Sequence, residues 1–118
     1  MLHGLTRRYG LGSRVNSQIR VVDIPVLALD DHDLLVDRLY VAAQSAIESD
    51  GADVIVLGCT GMNQVAATVQ EKLASTGPFV PVVDPTGAAV TWLESRVRLG
   101  LRASRVTYLT PPKKTRLS

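Results

Sequence analysis

Residues 53–62 read DVIVLGCTGM. Val54 to Leu57 form an apolar run that ends against Gly58, the single cysteine of the chain, Cys59, and a small-residue turn. A run of this length, rich in β-branched residues and stopped by glycine, predicts a parallel strand covered on both faces. On either side the hydrophobic period changes. Upstream, DDHDLLVDRLYVAAQSAIESDG (30–51) predicts a helix capped by Asp30 or Asp31 and closed by Gly51, with Leu34, Leu35, Leu39, Ala42, Ala46 and Ile47 along one apolar stripe. Downstream, NQVAATVQEKLASTG (63–77) places Val65, Val69 and Leu73 at helical spacing, with Gly77 after the end.

Further out, FVPVVD (79–84) predicts a short strand, and TGAAVTWLESRVRLG (86–100) a helix with Thr86 as cap and Gly100 as stop. IRVVDIPVLAL (19–29) reads as a strand region that Pro25 confines to an edge or a strand start. SRVTYL (104–109) predicts a last strand before the basic, solvated tail of residues 111–118. The first 20 residues have room for a helical turn or two, interrupted by Gly4, Gly10 and Gly12. Strands alternating with helices imply right-handed crossovers, hence an α/β fold of three layers with a mostly parallel sheet between helices. Residues 1–110 form one such domain in this reading. Ligands of these folds gather at the carboxyl ends of the strands, where Cys59 lies.

Composition narrows the function classes. The chain has 118 residues, 46% hydrophobic and 20% charged, which suits one globular domain. Thirteen Lys and Arg against eleven Asp and Glu leave +2, too small an excess to call for nucleic acid or a membrane surface. No apolar run approaches the ~20 residues of a membrane span, and the first residues lack the apolar core of a signal peptide. One cysteine forms no internal disulfide, which fits a reducing cytoplasm. His3, His32 and Cys59 lack metal-site spacing, so no metal is expected.

A thiol between a strand and a helix start is near free backbone N–H groups and the positive helix end, a setting that favours thiolate chemistry. Thr60, Gly61 and Met62 can offer successive amides to a carboxylate or a polarised carbonyl, and Gly61 allows close approach to the backbone. A free cysteine among Val, Ile and Leu is also commonly a small buried hydrophobe, and position alone leaves both readings open. Asp84, at the end of the PVV strand, faces the same edge, either toward a ligand or as the cap of an Asp-Pro-Thr helix start.

VIVLGCTGM resembles the second cysteine motif of the aspartate/glutamate/hydantoin racemase superfamily, in the form Gly-Cys-(Ala/Thr)-Gly-Met of its hydantoin and allantoin branch. YGLGSRVNSQIRVVDIPVLAL (9–29) and VPVVDPTGAAVTWLESRVRLGL (80–101) are similar to the segments before and after that motif. Where glutamate racemases have Cys-Thr-His, Gly61 follows Thr60 here, so the resemblance points to hydantoin-like rather than amino-dicarboxylate substrates. It implies cofactor-independent inversion at a carbon α to a carbonyl, with a thiol on each face of that carbon. Cys59 would be one of the two catalytic thiols; Thr60, Gly61 and Met62 would bind a small substrate through its carboxylate or imide carbonyl, and Asp84 would be a further substrate-binding residue.

The resemblance covers the second lobe of a two-lobe fold. Members of the superfamily are about twice as long, and the first-lobe cysteine has no counterpart in these 118 residues. The chain is therefore expected to be a piece of a longer enzyme, a natural half that pairs with another chain, or a relative that no longer racemizes. Related arylmalonate decarboxylases use one cysteine of this second type, which makes single-thiol protonation the alternative activity. A non-catalytic half-domain that serves in assembly is the other alternative. Homo-oligomerisation or association with a first lobe follows in either case.

Overall fold

In the computed structural model, residues 2–15, 19–25, 31–59 and 64–114 are described. Two compact units divide the chain, Met1–Ala88 and Ala89–Ser118. The element order is α1 (Leu2–Arg8), α2 (His32–Asp50), β1 (Ile55–Val56), α3 (Val65–Thr76), β2 (Val82–Val83) and α4 (Pro85–Arg98), with the unit boundary inside α4.

Helix α2 begins and ends where its sequence dictates. The Asp31 side chain accepts the Leu34 N–H at 3.1 Å, and Gly51 closes the helix at φ 66°, a left-handed conformation that glycine adopts without strain. The buried stripe is Leu35, Val36, Leu39 and Ala43. Leu34, expected in it, is exposed, because the helix rests on α3 through the row set by Leu35, Leu39 and Ala43. Helix α3 buries Val65, Ala66, Val69 and Leu73 against that row. Full burial of a side chain such as Leu35 or Val69 contributes roughly 1.5–3 kcal/mol. The contact is pinned at its rim, where Lys72 pairs with Asp37 and lies over the Tyr40 ring.

The sheet is a parallel pair, with Ile55 opposite Val82 and Val56 opposite Val83. Ladder bonds continue beyond the paired residues, from Ile55 N–H to Pro81 O at 2.9 Å and from Leu57 N–H to Val83 O at 3.1 Å. Val82 N–H points away from β1 in this register and donates instead to Gln70 Oε1 of α3 at 3.0 Å. That bond leaves β2 no open donor on its outer side and ties the strand to the helix. Leu57 and Val82 complete the core, while Val54 and Val56 are 47% and 65% exposed. The 53–58 run, expected to be covered on both faces, thus presents one face to the core and the other to solvent.

Among the described residues, neither of two further expected strands appears. Residues 19–25 carry no ladder; Val22 and Ile24 pack on the core from an irregular segment, and residues 26–29 lie outside the described residues. In the second unit, Ser104–Tyr108 closes a turn, with Tyr108 N–H bonded to Ser104 O at 2.8 Å and Val106 N–H to Ser104 Oγ at 3.2 Å. A β-rich run with no strand to pair with among the described residues satisfies its backbone locally, and serine supplies the acceptor. Near the start of the chain α1 runs through Gly4 and gives way to Gly10 at φ 68°.

Candidate functional site

Because β1 and β2 are parallel, both leave the sheet at the same edge, where Cys59 and Asp84 follow them. Leu57, 4% exposed, anchors the end of β1. Gly58 and Cys59 follow it into solvent, and Cys59 is a free, exposed thiol. Of the two readings left open by position, the buried hydrophobe is set aside by that exposure. Thr60, Gly61 and Met62 lie outside the described residues.

The backbone re-enters at Gln64, which precedes α3 in a left-handed conformation at φ 69° and makes no side-chain cap to the helix. Among the described residues it is the only non-glycine with positive φ. Such a conformation costs on the order of 1 kcal/mol for a side chain with a Cβ, and it leads directly into Val65, which is 1% exposed. No feature of the sequence announced it.

On the neighbouring strand, Asp84 follows Val83 directly. Its Oδ1 accepts from Thr86 N–H at 3.0 Å and its Oδ2 from Gly87 N–H at 2.9 Å, while its carbonyl accepts from Ala88 N–H at 3.0 Å. Asp84 is therefore the N-cap of α4, with Pro85 at the first helical position, where a missing N–H costs nothing. Thr86, expected as the cap, is instead the second helical residue, and its buried Oγ1 has no hydrogen-bond partner. A Cβ on Gly87 would lie 3.2 Å from Asp84 Oδ2, so a larger residue there would push the carboxylate by a few tenths of an ångström.

One sheet edge thus collects an exposed thiol, a half-buried carboxylate and the starts of two helices. Among the described residues no group of three or more His, Cys, Asp or Glu could hold a metal ion. His32 and Asp33 stand at the exposed start of α2, with His32 Nδ1 3.8 Å from Asp33 Oδ1.

The profile of the family described as Asp/Glu/Hydantoin racemase matches residues 1–93, which include Cys59, both strands and the first part of α4. The chain belongs to that family. Similar racemases include the hydantoin racemase of Paenarthrobacter aurescens, 37% identical over 96% of this chain and 46% of its own length. The hydantoin racemase of Pseudomonas sp. strain NS671 is 35% identical over 97% of this chain and 44% of its own. Among solved racemases, the allantoin racemase of Pseudomonas fluorescens superposes with a TM-score of 0.77 at 35% identity, over 98% of this chain and 48% of that one. The fold is therefore the α/β fold of the hydantoin and allantoin branch, and the chain spans about half the length of the curated racemases it matches. No described helix is long and apolar enough to cross a membrane.

Proposed function

We propose that this chain supplies one acid–base thiol, Cys59, to a cofactor-independent racemization at a carbon α to a carbonyl, on a hydantoin or a related amino-acid derivative. The observation that carries the reading is the exposed free thiol at the carboxyl end of β1, in a chain of the racemase family. The Cys59 thiolate removes the α-proton from one face; the C–H electron pair moves into the carbonyl to give an enolate; a second acid delivers a proton to the opposite face as the carbonyl re-forms. No atom is gained or lost, and configuration inverts. The backbone amides of Thr60, Gly61 and Met62 hold the developing enolate oxygen, the largest electrostatic demand of the step.

Asp84 has lone pairs left after capping α4, and a carboxylate there accepts the ring N–H of an imide while repelling a free carboxylate. That contact favours a hydantoin over an amino acid with a free carboxyl group. The second acid comes from outside these 118 residues, which hold one cysteine, either across an oligomer interface or from a first lobe. A reducing, cytoplasmic compartment suits a working thiol of this kind.

The single cysteine also favours a second reading, in which a carbanion formed by loss of CO₂ is protonated once by Cys59, a reaction that needs only one thiol. Ligand protection tests the site common to both. A saturating 5-substituted hydantoin should slow alkylation of Cys59 by iodoacetamide several-fold; an unchanged rate contradicts a substrate site at this thiol.

A further inference from the structure

The ends of α2 and α3 meet away from the sheet edge that carries Cys59. Helix α3 stops at Thr76, shortly before the chain enters β2, so its last turn lies toward the amino end of that strand. Between the two helices is a hollow of about 170 Å³. Its floor is apolar, from Ile47 and from Leu73, which is 4% exposed. Gln44 and Glu48 of α2 line it as well; Gln44 Nε2 donates to Glu48 Oε1 at 2.9 Å, and Glu48 Oε2 has no partner among the described residues. The rest of the lining is the end of α3, Thr76, with Gly77 and Pro78 after it.

The charge around this hollow is of one sign. A helix ends in unpaired carbonyls with partial negative charge, which a nearby cation offsets. Helices α1 and α4 each carry two arginines in the last turn, whereas α2 and α3 carry no basic residue there. Arg20 serves the end of α2 from outside, through Ser45 O at 3.4 Å and Asp50 Oδ2 at 2.6 Å. At the end of α3, Gly77 N–H bonds to Leu73 O at 3.1 Å, but Pro78 has no N–H to give the next carbonyl, that of Ala74. Lys72, one turn back, pairs with Asp37 instead. Glu48 is the only formally charged side chain in the lining, and residues 1–88, with ten Asp and Glu against six Lys and Arg, carry a formal −4. We propose that this hollow binds a primary ammonium group on a short aliphatic chain, with the cation between Glu48 and the carbonyl end of α3 and the chain on Ile47 and Leu73. At ~30 Å³ for each water-sized group, the hollow takes about five heavy atoms, the size of butylammonium, and such an amine is charged at neutral pH as a lysine is. The site is separate from Cys59 and does not depend on the racemase reading.

Free amines and lysine side chains share this chemistry, so the full 118-residue chain is titrated with n-butylammonium chloride and, separately, with Nα-acetyl-lysine methylamide, and followed by amide ¹H–¹⁵N spectra. Saturable shifts centred on the Glu48 and Gly77 amides are expected. Binding of the lysine amide as tight as that of butylammonium assigns the hollow to a lysine side chain, and binding of butylammonium alone assigns it to a free amine; both uphold the site. 1-Butanol, which keeps the chain and loses the charge, should bind about tenfold more weakly. Glu48→Gln, at an exposed position outside the core, should weaken butylammonium to a similar degree. Equal binding of 1-butanol, or equal binding of butylammonium by Glu48→Gln, overturns the proposal, because the hollow would then offer apolar surface alone. So do shifts that do not saturate, or that centre on Cys59 and Asp84 instead.

Discussion

Asp84 Oδ2 accepts the Gly87 N–H at 2.9 Å, so the residue that ends the second strand is also the one that starts the last helix. The same carboxylate takes Thr86 N–H through Oδ1. Two of the first amides of α4 are thereby satisfied by one side chain, and the helix start is fixed to the sheet edge where Cys59 emerges.

Replacing that cap has a defined consequence. Asp84→Ala should lower stability by about 1–2 kcal/mol, and Asp84→Asn, which keeps one acceptor oxygen, by less. Chemical denaturation of the three proteins measures the difference. Equal stability of Asp84→Ala and the parent chain would contradict the capping geometry.

Gln64 offers a test of the turn that leads from the thiol into α3. Its φ of 69° suits glycine, so Gln64→Gly should leave stability unchanged or raise it by about 0.5 kcal/mol, the relief of strain slightly exceeding the entropy of the freer residue. Gln64→Val should lower it by about 1–2 kcal/mol, since a β-branched side chain resists the left-handed region. A loss on going to glycine would show that Gln64 does not hold that conformation in solution.

The helices were legible in the sequence because each carries its own punctuation. Asp31 and Gly51 bracket α2, Gly77 ends α3, and Asp84-Pro85 opens α4. The stripe on α2 was misjudged at Leu34 because adjacent leucines at 34 and 35 allow two neighbouring faces, and only the partner helix selects between them. Strand content was harder to read. SRVTYL has the composition of a strand, but pairing depends on a neighbour that residues 104–109 do not have among the described residues, and Ser104 closes a turn instead. At the site, the position of Cys59 followed from the strand ending at Gly58. Its exposure did not, because the same residues suit a buried thiol, and the left-handed turn at Gln64 leaves no mark in residue type.

Exposure of Cys59 predicts its behaviour toward reagents. In the folded chain at neutral pH, iodoacetamide should alkylate it at least as fast as a model peptide thiol, without any need for unfolding. Mass spectrometry of timed samples follows the reaction. Alkylation that appears only with denaturant would return Cys59 to the core.

The central claim is that Cys59 acts as one half of an acid–base pair, and deuterium exchange separates one half from two. In D₂O near neutral pH, with the uncatalysed rate subtracted, the purified 118-residue chain should exchange the α-proton of an enantiopure 5-substituted hydantoin while optical rotation stays constant. One thiol reaches only one face, so the deuteron returns where the proton left. Cys59→Ser should abolish the exchange. Loss of optical rotation at the rate of exchange, or exchange that survives Cys59→Ser, would contradict the account.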